Sequence, residues 1–214
     1  MNMFIDQILY PINSLGPGNR LAIWTVGCPH HCIGCSNPEL WTTEHYESVS
    51  VQDLFFTIRE VCNNNPVDGI TITGGEPFDQ AEELLVLVKC LSGIVPDILL
   101  FSGYTYEEIL SNPQYDEVLN YVTVLVDGRY VKELNNRLPL RGSSNQRVLL
   151  FADEYEQLYI EYLSQSQSKI QNIHCINGSV SVGIHREGFQ REIEDQLLKK
   201  GIQRVRKNND EMAQ

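Results

Sequence analysis

Between residues 21 and 151 the chain alternates short apolar runs with stretches of helical periodicity, and this constrains its fold more than any other feature. Residues 21–26 read as a buried strand, as do Ile70-Thr71-Ile72-Thr73, Ile98-Leu99-Leu100-Phe101, Val122-Thr123-Val124-Leu125-Val126 and residues 146–151. Between the first two, Val51, Leu54, Phe55, Ile58, Val61 and Cys62 recur at helical spacing behind a capping-box-like Ser50-x-x-Asp53. Asn63-Asn64-Asn65-Pro66 stops that helix. Pro77 suits the first turn of a second helix running from Phe78 to about Leu91, and a short acidic helix starts near Tyr106. The alternation predicts an α/β fold of parallel βαβ units with helices outside. Five or six strands are too few to close an eight-stranded barrel, so a side opening is expected.

Parallel sheets bind ligands at the carboxyl ends of their strands. Four turn sequences sit at such ends: Cys28-Pro29-His30-His31-Cys32-Ile33-Gly34-Cys35, Gly74-Gly75-Glu76-Pro77, Ser102-Gly103-Tyr104 and Asp127-Gly128. All four should gather on one face.

The first carries Cys28, Cys32 and Cys35 at C-x3-C-x2-C spacing. Thiolates hold iron–sulfur clusters, usually four for a [4Fe–4S] centre, so three would leave one iron without a protein ligand. A metal position open to solvent is the mark of a catalytic site. Soft thiolates also suit structural zinc, with His30 or His31 as fourth ligand, and spacing alone leaves both metals open. Cys62, Cys90 and Cys175 lie apart in apolar surroundings and read as small buried hydrophobes. In the second turn, Gly74-Gly75 permits close approach of backbone to a ligand, and exposed carbonyls with Glu76 would suit a cationic amine.

With both motifs in view, the chain resembles the radical S-adenosylmethionine (SAM) superfamily. Cys28-x3-Cys32-x2-Cys35 is similar to its cluster motif, and Gly74-Gly75-Glu76-Pro77 to its SAM-amine motif. The resemblance implies an open partial (β/α)6 barrel over residues 1–151, beyond which the residues themselves read as a helix-plus-hairpin extension over 152–214. It implies a [4Fe–4S] cluster on the three cysteines, the catalytic and metal-holding residues, and SAM contacts from Gly34, Cys35, Ser36, Gly74, Gly75 and Glu76. Reductive cleavage of SAM would yield a deoxyadenosyl radical, with the cofactors carrying the hard step. Many members place an aromatic residue before the third cysteine to meet the adenine; Gly34 stands there here.

Gly16-Pro17-Gly18-Asn19-Arg20, Ser102-Gly103-Tyr104, Val126-Asp127-Gly128 and Arg141-Gly142-Ser143-Ser144-Asn145-Gln146-Arg147 narrow the resemblance to the activating proteins of anaerobic ribonucleoside-triphosphate reductase. That resemblance implies a glycyl radical made on the large reductase subunit, with reduced flavodoxin or a similar electron donor. The alternatives are a radical SAM enzyme acting on a small molecule, as in deazapurine synthesis, or on another glycyl radical enzyme. A third is a zinc-stabilised binding module.

Bulk properties exclude other classes. A net charge of -12 argues against non-specific nucleic-acid binding. No apolar run is long enough to span a membrane, and the first residues carry no signal-peptide pattern, so the expected location is cytoplasmic. Within this acidic chain, Arg129, Lys132, Arg137, Arg141 and Arg147 form a basic island with one acidic residue, Glu133. Such an island could dock the reductase subunit or an acidic electron donor by charge complementarity. After Phe151, Tyr155, Leu158, Tyr159 and Tyr162 mark an amphipathic helix, and a hairpin is expected around Asn177-Gly178. From Arg186 the chain is strongly charged, with a helical repeat at Ile193 and Leu197 and a frayed end.

Overall fold

The computed structural model describes residues 1–165, 169–175, 178–185 and 188–201. Among these, the strands are β1 (Asn2–Ile12), β2 (Arg20–Thr25), β3 (Ser48–Ser50), β4 (Gly69–Gly74), β5 (Ile98–Phe101), β6 (Val124–Asp127), β7 (Arg147–Leu150), β8 (Ile170–Cys175) and β9 (Gly178–Gly183). The helices are α1 (Val51–Asn64), α2 (Ala81–Leu91), α3 (Tyr106–Leu110), α4 (Pro113–Leu119), α5 (Glu156–Leu163) and α6 (Phe189–Lys199). Seven strands make one sheet in the order β3-β1-β2-β4-β5-β6-β7, and β8 and β9 form an antiparallel hairpin. The expected turn residue Asn177 lies outside the described residues, as does the chain beyond residue 201.

The four central strands, β2, β4, β5 and β6, are parallel, as the alternation requires. The edges differ from expectation. β1, a strand the sequence reading did not include, pairs antiparallel with β2, and its mixed polar and apolar side chains fit a place outside the parallel strands. β7, expected as a fifth parallel strand, runs antiparallel to β6. The cause is its connection: residues 128–146 hold only a short 3-10 turn at Lys132–Leu134, and without a crossover helix the chain folds back beside the strand it left.

Local signals act where they were read. Ser50 caps α1 by accepting from the Asp53 N–H at 3.3 Å. Pro77 opens a 3-10 turn (Pro77–Gln80) that runs into α2. The acidic helix after Tyr104 divides into α3, with a full capping box between Thr105 and Glu108, and α4 beginning at Pro113.

Alternation along each strand sorts the core into two faces. Leu21, Ile23, Ile70, Ile72, Ile98, Leu100 and Leu125 pack with Leu54, Ile58, Leu84, Leu87 and Leu91 of the helices. The opposite side chains meet the segment after residue 151. Ala22, Trp24 and Val26 pack with Val182 of β9, and Leu99, Val124 and Val126 pack with Tyr159 and Tyr162 of α5. The extension therefore supplies the cover of the face that carries no outer helices.

A buried lock holds the amino ends of the strands. Arg20 is fully buried and donates five hydrogen bonds, to Thr71 Oγ1, Pro17 O, Ile70 O, Asp97 O and Asp97 Oδ2. Tyr159 donates to the other Asp97 oxygen at 2.8 Å, and Tyr162 donates to Asn13 O at 3.2 Å. Gly16 leaves the room this needs, since a Cβ there would fall 2.6 Å from Arg20 Cδ. The Gly16-Pro17-Gly18-Asn19-Arg20 motif thus serves stability at the end of the sheet away from the cysteine loop.

Candidate functional site

The four turn sequences that follow β2, β4, β5 and β6 are brought together. Cys28, Cys32, Cys35, Ser36, Gly74, Gly75, Glu76, Ser102, Gly103 and Gly128 line one cavity of about 260 Å³. The backbone fixes this arrangement. Gly75 N–H donates to Thr25 O at 2.8 Å and Glu76 N–H to Gly27 O at 2.7 Å, so the Gly-Gly turn is zipped to the root of the cysteine loop. Gly74 has φ +111, and a Cβ there would lie 2.5 Å from Thr25 N; at Gly75 it would strike the Gly27 carbonyl. Both glycines are needed for approach of one loop to another, a packing reason added to the ligand reason read from sequence.

Glu76 does not stand out from this turn. Its buried carboxylate accepts from Gly103 N–H at 2.6 Å, Ser102 Oγ–H at 3.0 Å and Phe78 N–H at 3.1 Å, and lies 3.1 Å from His30 Nε2. It ties the cysteine loop, the α2 lead-in and the turn after β5 to one another. The partly exposed surface of that turn is Gly74-Gly75 backbone.

The three site cysteines are free and half-buried. Burial pushes the Cys28 thiol up, against backbone N–H groups of His30 and His31 that lower it. Burial also pushes Cys35 up, opposed by the Asn37 N–H and the Trp41 indole. A metal that demands thiolates must therefore displace protons as it binds. The histidines are occupied elsewhere: His30 meets Glu76 and sits edge-on to Tyr104 at 4.6 Å, while His31 stacks on Trp41 at 4.8 Å. Among the described residues no three His, Cys, Asp or Glu side chains converge as a single metal ion would require. Three soft thiols on one loop, with no histidine aimed among them, fit an iron–sulfur cluster in their donor chemistry.

Gly34 has φ +76, and a Cβ there would lie 3.2 Å from the Lys132 side chain. The slot before the third cysteine is therefore backed by the 128–146 connection. Gly142, Gln146, Tyr130 and Asn135 of that connection also line the cavity. Its Arg141-to-Arg147 motif is bonded to itself and to the segment after β6: Gln146 accepts from Gly142 N–H at 2.7 Å and donates to Gly128 O at 2.7 Å, and Asn145 donates to Arg129 O at 2.8 Å. Arg147 pairs with Glu107 and with the buried carboxylate of Asp127.

Sequence reasoning placed Ser102 with the strand-end turns but missed two other contributors. Trp41 had no motif to mark it. The hairpin lines the cavity through Val180, Ser181, Val182 and His185, which no spacing in the sequence connects to Cys28. Burial lowers the His185 pKa, and its Nε2 lies 3.0 Å from Ser181 Oγ. Of the scattered cysteines, Cys62 is partly buried but Cys90 is exposed, against the expectation of burial; the side chain of Cys175 lies outside the described residues. Cys90 falls on the outer side of α2, which turns its core face to Leu84, Leu87, Val88 and Leu91.

Comparison with known proteins agrees with this donor set. Residues 14–149 match the family model described as 4Fe-4S single cluster domain. The chain is 34% identical over 154 residues to the anaerobic ribonucleoside-triphosphate reductase-activating protein of Enterobacteria phage T4, covering 68% of this chain and 93% of that protein. It is 33% identical over 153 residues to the protein of that name from Escherichia coli (strain K12), covering 65% and 94%. The Salmonella typhi protein is also 33% identical, over 154 residues. The family model ends before α5, so the helix and hairpin that cover the inner face lie beyond it. Cysteine spacing, the Gly-Gly turn joined to it and these matches agree: the chain belongs to the 4Fe-4S family of anaerobic ribonucleoside-triphosphate reductase-activating proteins.

Proposed function

We propose that this protein is a radical SAM activase that generates a glycyl radical on an anaerobic ribonucleoside-triphosphate reductase. The observation that carries the reading is the joining of the cysteine loop to the Gly74-Gly75 turn, both lining one cavity. Cys28, Cys32 and Cys35 would hold the [4Fe–4S] cluster. When bound, the cluster supplies an electron and an iron position open to SAM, and the protein supplies placement and shielding.

The residues of the chain divide that work. Gly74 and Gly75 offer backbone polar groups to the SAM amino group, while Glu76 holds the turn from behind. Cys35 and Ser36 border the cavity on the opposite loop, and Gly34 before them lies against Lys132. The hairpin excludes water from one side. The four parallel strands with helices on one face support an open partial barrel of the radical SAM type, with the inner face covered by the extension. Its protein substrate would be the large reductase subunit, and its electron donor a reduced acidic protein such as flavodoxin, received near Arg129, Lys132, Arg137 and Arg141. A reducing cytoplasm would keep the three thiols free for metal. No described helix is long and apolar enough to cross a membrane.

Anaerobic reconstitution with iron and sulfide tests the reading. The wild-type protein is expected to turn brown and to cleave SAM to deoxyadenosine under a strong reductant, and Cys32→Ala to stay colourless. Mixing with the anaerobic reductase should give a glycyl-radical signal in electron paramagnetic resonance. A colourless wild type carrying one zinc ion would sink the proposal.

A further inference from the structure

The indole of Trp41 leaves a donor unmet in the wall of the cysteine cavity. Its Nε1 is buried and has no hydrogen-bond partner, whereas buried polar groups ordinarily find one. The ring has little freedom to seek solvent. The Trp41 carbonyl accepts from Cys28 N–H at 3.1 Å, its ring stacks on His31, and the preceding Leu40 is fully buried and accepts from Gly27 N–H at 2.8 Å. Trp41 shares the cavity wall with Cys28, Cys32 and Cys35. The cavity thiol beside this indole is Cys35, and the Asn37 N–H also lies 3.4 Å from that sulfur.

A neutral thiol is a weak acceptor, whereas a metal-bound thiolate is a good one. We propose that Trp41 Nε1–H donates to the Cys35 sulfur when that sulfur ligates the cluster, and that this bond raises the cluster's reduction potential. The inference rests on the functional reading above. Its physical basis is charge: reduction adds an electron to the cluster, and a donor aimed at a ligand sulfur stabilises the more negative state. Trp41 is thus a positioning residue that acts through Cys35.

Trp41→Phe removes the N–H and keeps a ring against His31. The loaded variant is expected to show wild-type absorbance and a midpoint potential shifted to more negative values in a redox titration followed by electron paramagnetic resonance. Trp41→His, which restores a ring N–H, should recover part of the shift. A loaded Trp41→Phe protein with the wild-type potential overturns the proposal while leaving the functional reading intact. Should Trp41→Phe fail to load, labelling decides: with isotopically labelled indole nitrogen in a Trp24→Phe background, a nitrogen coupling to the reduced cluster supports the bond and its absence overturns it. A wild-type protein that binds no cluster sinks the functional reading, and this inference with it.

Discussion

Glu76 Oε2 lies 3.1 Å from His30 Nε2, so the acidic residue of the Gly-Gly turn is bound to the loop that carries the cysteines. Gly103 N–H and Ser102 Oγ–H complete its shell from the next strand end. Three loops at the carboxyl ends of β2, β4 and β5 are thereby held as one piece around a single buried carboxylate.

Replacing Glu76 should accordingly cost stability before it costs SAM affinity. Glu76→Ala strands at least three buried donors and is expected to lower the unfolding free energy by roughly 3 kcal/mol or more, at about 1–3 kcal/mol per unmet group. Glu76→Gln keeps an acceptor and should lose less. Urea denaturation of the apo proteins measures both; an unchanged midpoint with weakened SAM binding would assign the residue to the ligand instead.

The Tyr159–Asp97 bond predicts an alkaline limit to stability. Burial pushes the Tyr159 hydroxyl far above its ordinary value near 10, with Asp97 adding to the effect. Below that value both folded and unfolded forms are neutral, and the contribution is complete. Above it the unfolded chain ionises first, so the unfolded state binds fewer protons and stability falls as pH rises. Tyr104 and Tyr46, each held up to about 12 by burial, add to the same limb. Tyr159→Phe should lose about 1 kcal/mol at neutral pH and show a shallower alkaline decline in denaturation curves.

Arg147 and Arg141 should separate structure from docking. Arg147→Ala leaves the buried Asp127 carboxylate without its cation, and a loss of about 2 kcal/mol is expected, discounted because Arg147 is itself partly exposed. Arg141→Glu should change stability by less than about 0.5 kcal/mol. It should slow reductase activation most at low salt. Stopped activation assays across ionic strength, beside thermal melts, test the pair; an Arg141→Glu rate equal to wild type at every salt concentration would remove the docking role.

Val182 tests whether the extension is part of the site. It is 3% exposed and packs with Trp24 on the inner face. Val182→Ala should cost about 2 kcal/mol from two lost methyl groups and the space they leave. Loosening the hairpin should also speed removal of cluster iron by a chelator, followed as bleaching of the brown colour. Unchanged bleaching in a protein destabilised by that amount would confine the hairpin to structure.

Much of the site was legible because its chemistry is local. Cys28, Cys32 and Cys35 lie within eight consecutive positions, and Gly74-Gly75 are adjacent, so one loop displays each motif whole. The strand-end placement was legible too, because parallel strands share a direction and their outgoing turns share a face. Cys90 shows the limit of such reading: an apolar neighbourhood in sequence says nothing of which side of a helix a residue occupies.

By itself the sequence determined the central parallel sheet, the helices that flank it and the thiol set, since periodicity, caps and metal-ligand spacing act over a few residues. Only the tertiary structure decided the rest. It turned β7 antiparallel, committed Glu76 to His30 and Ser102, paired Arg147 with Asp127, and brought Val182 across to Trp24. Those outcomes depend on which buried donors find acceptors and which apolar faces find cover, and both are settled by residues far apart in the chain.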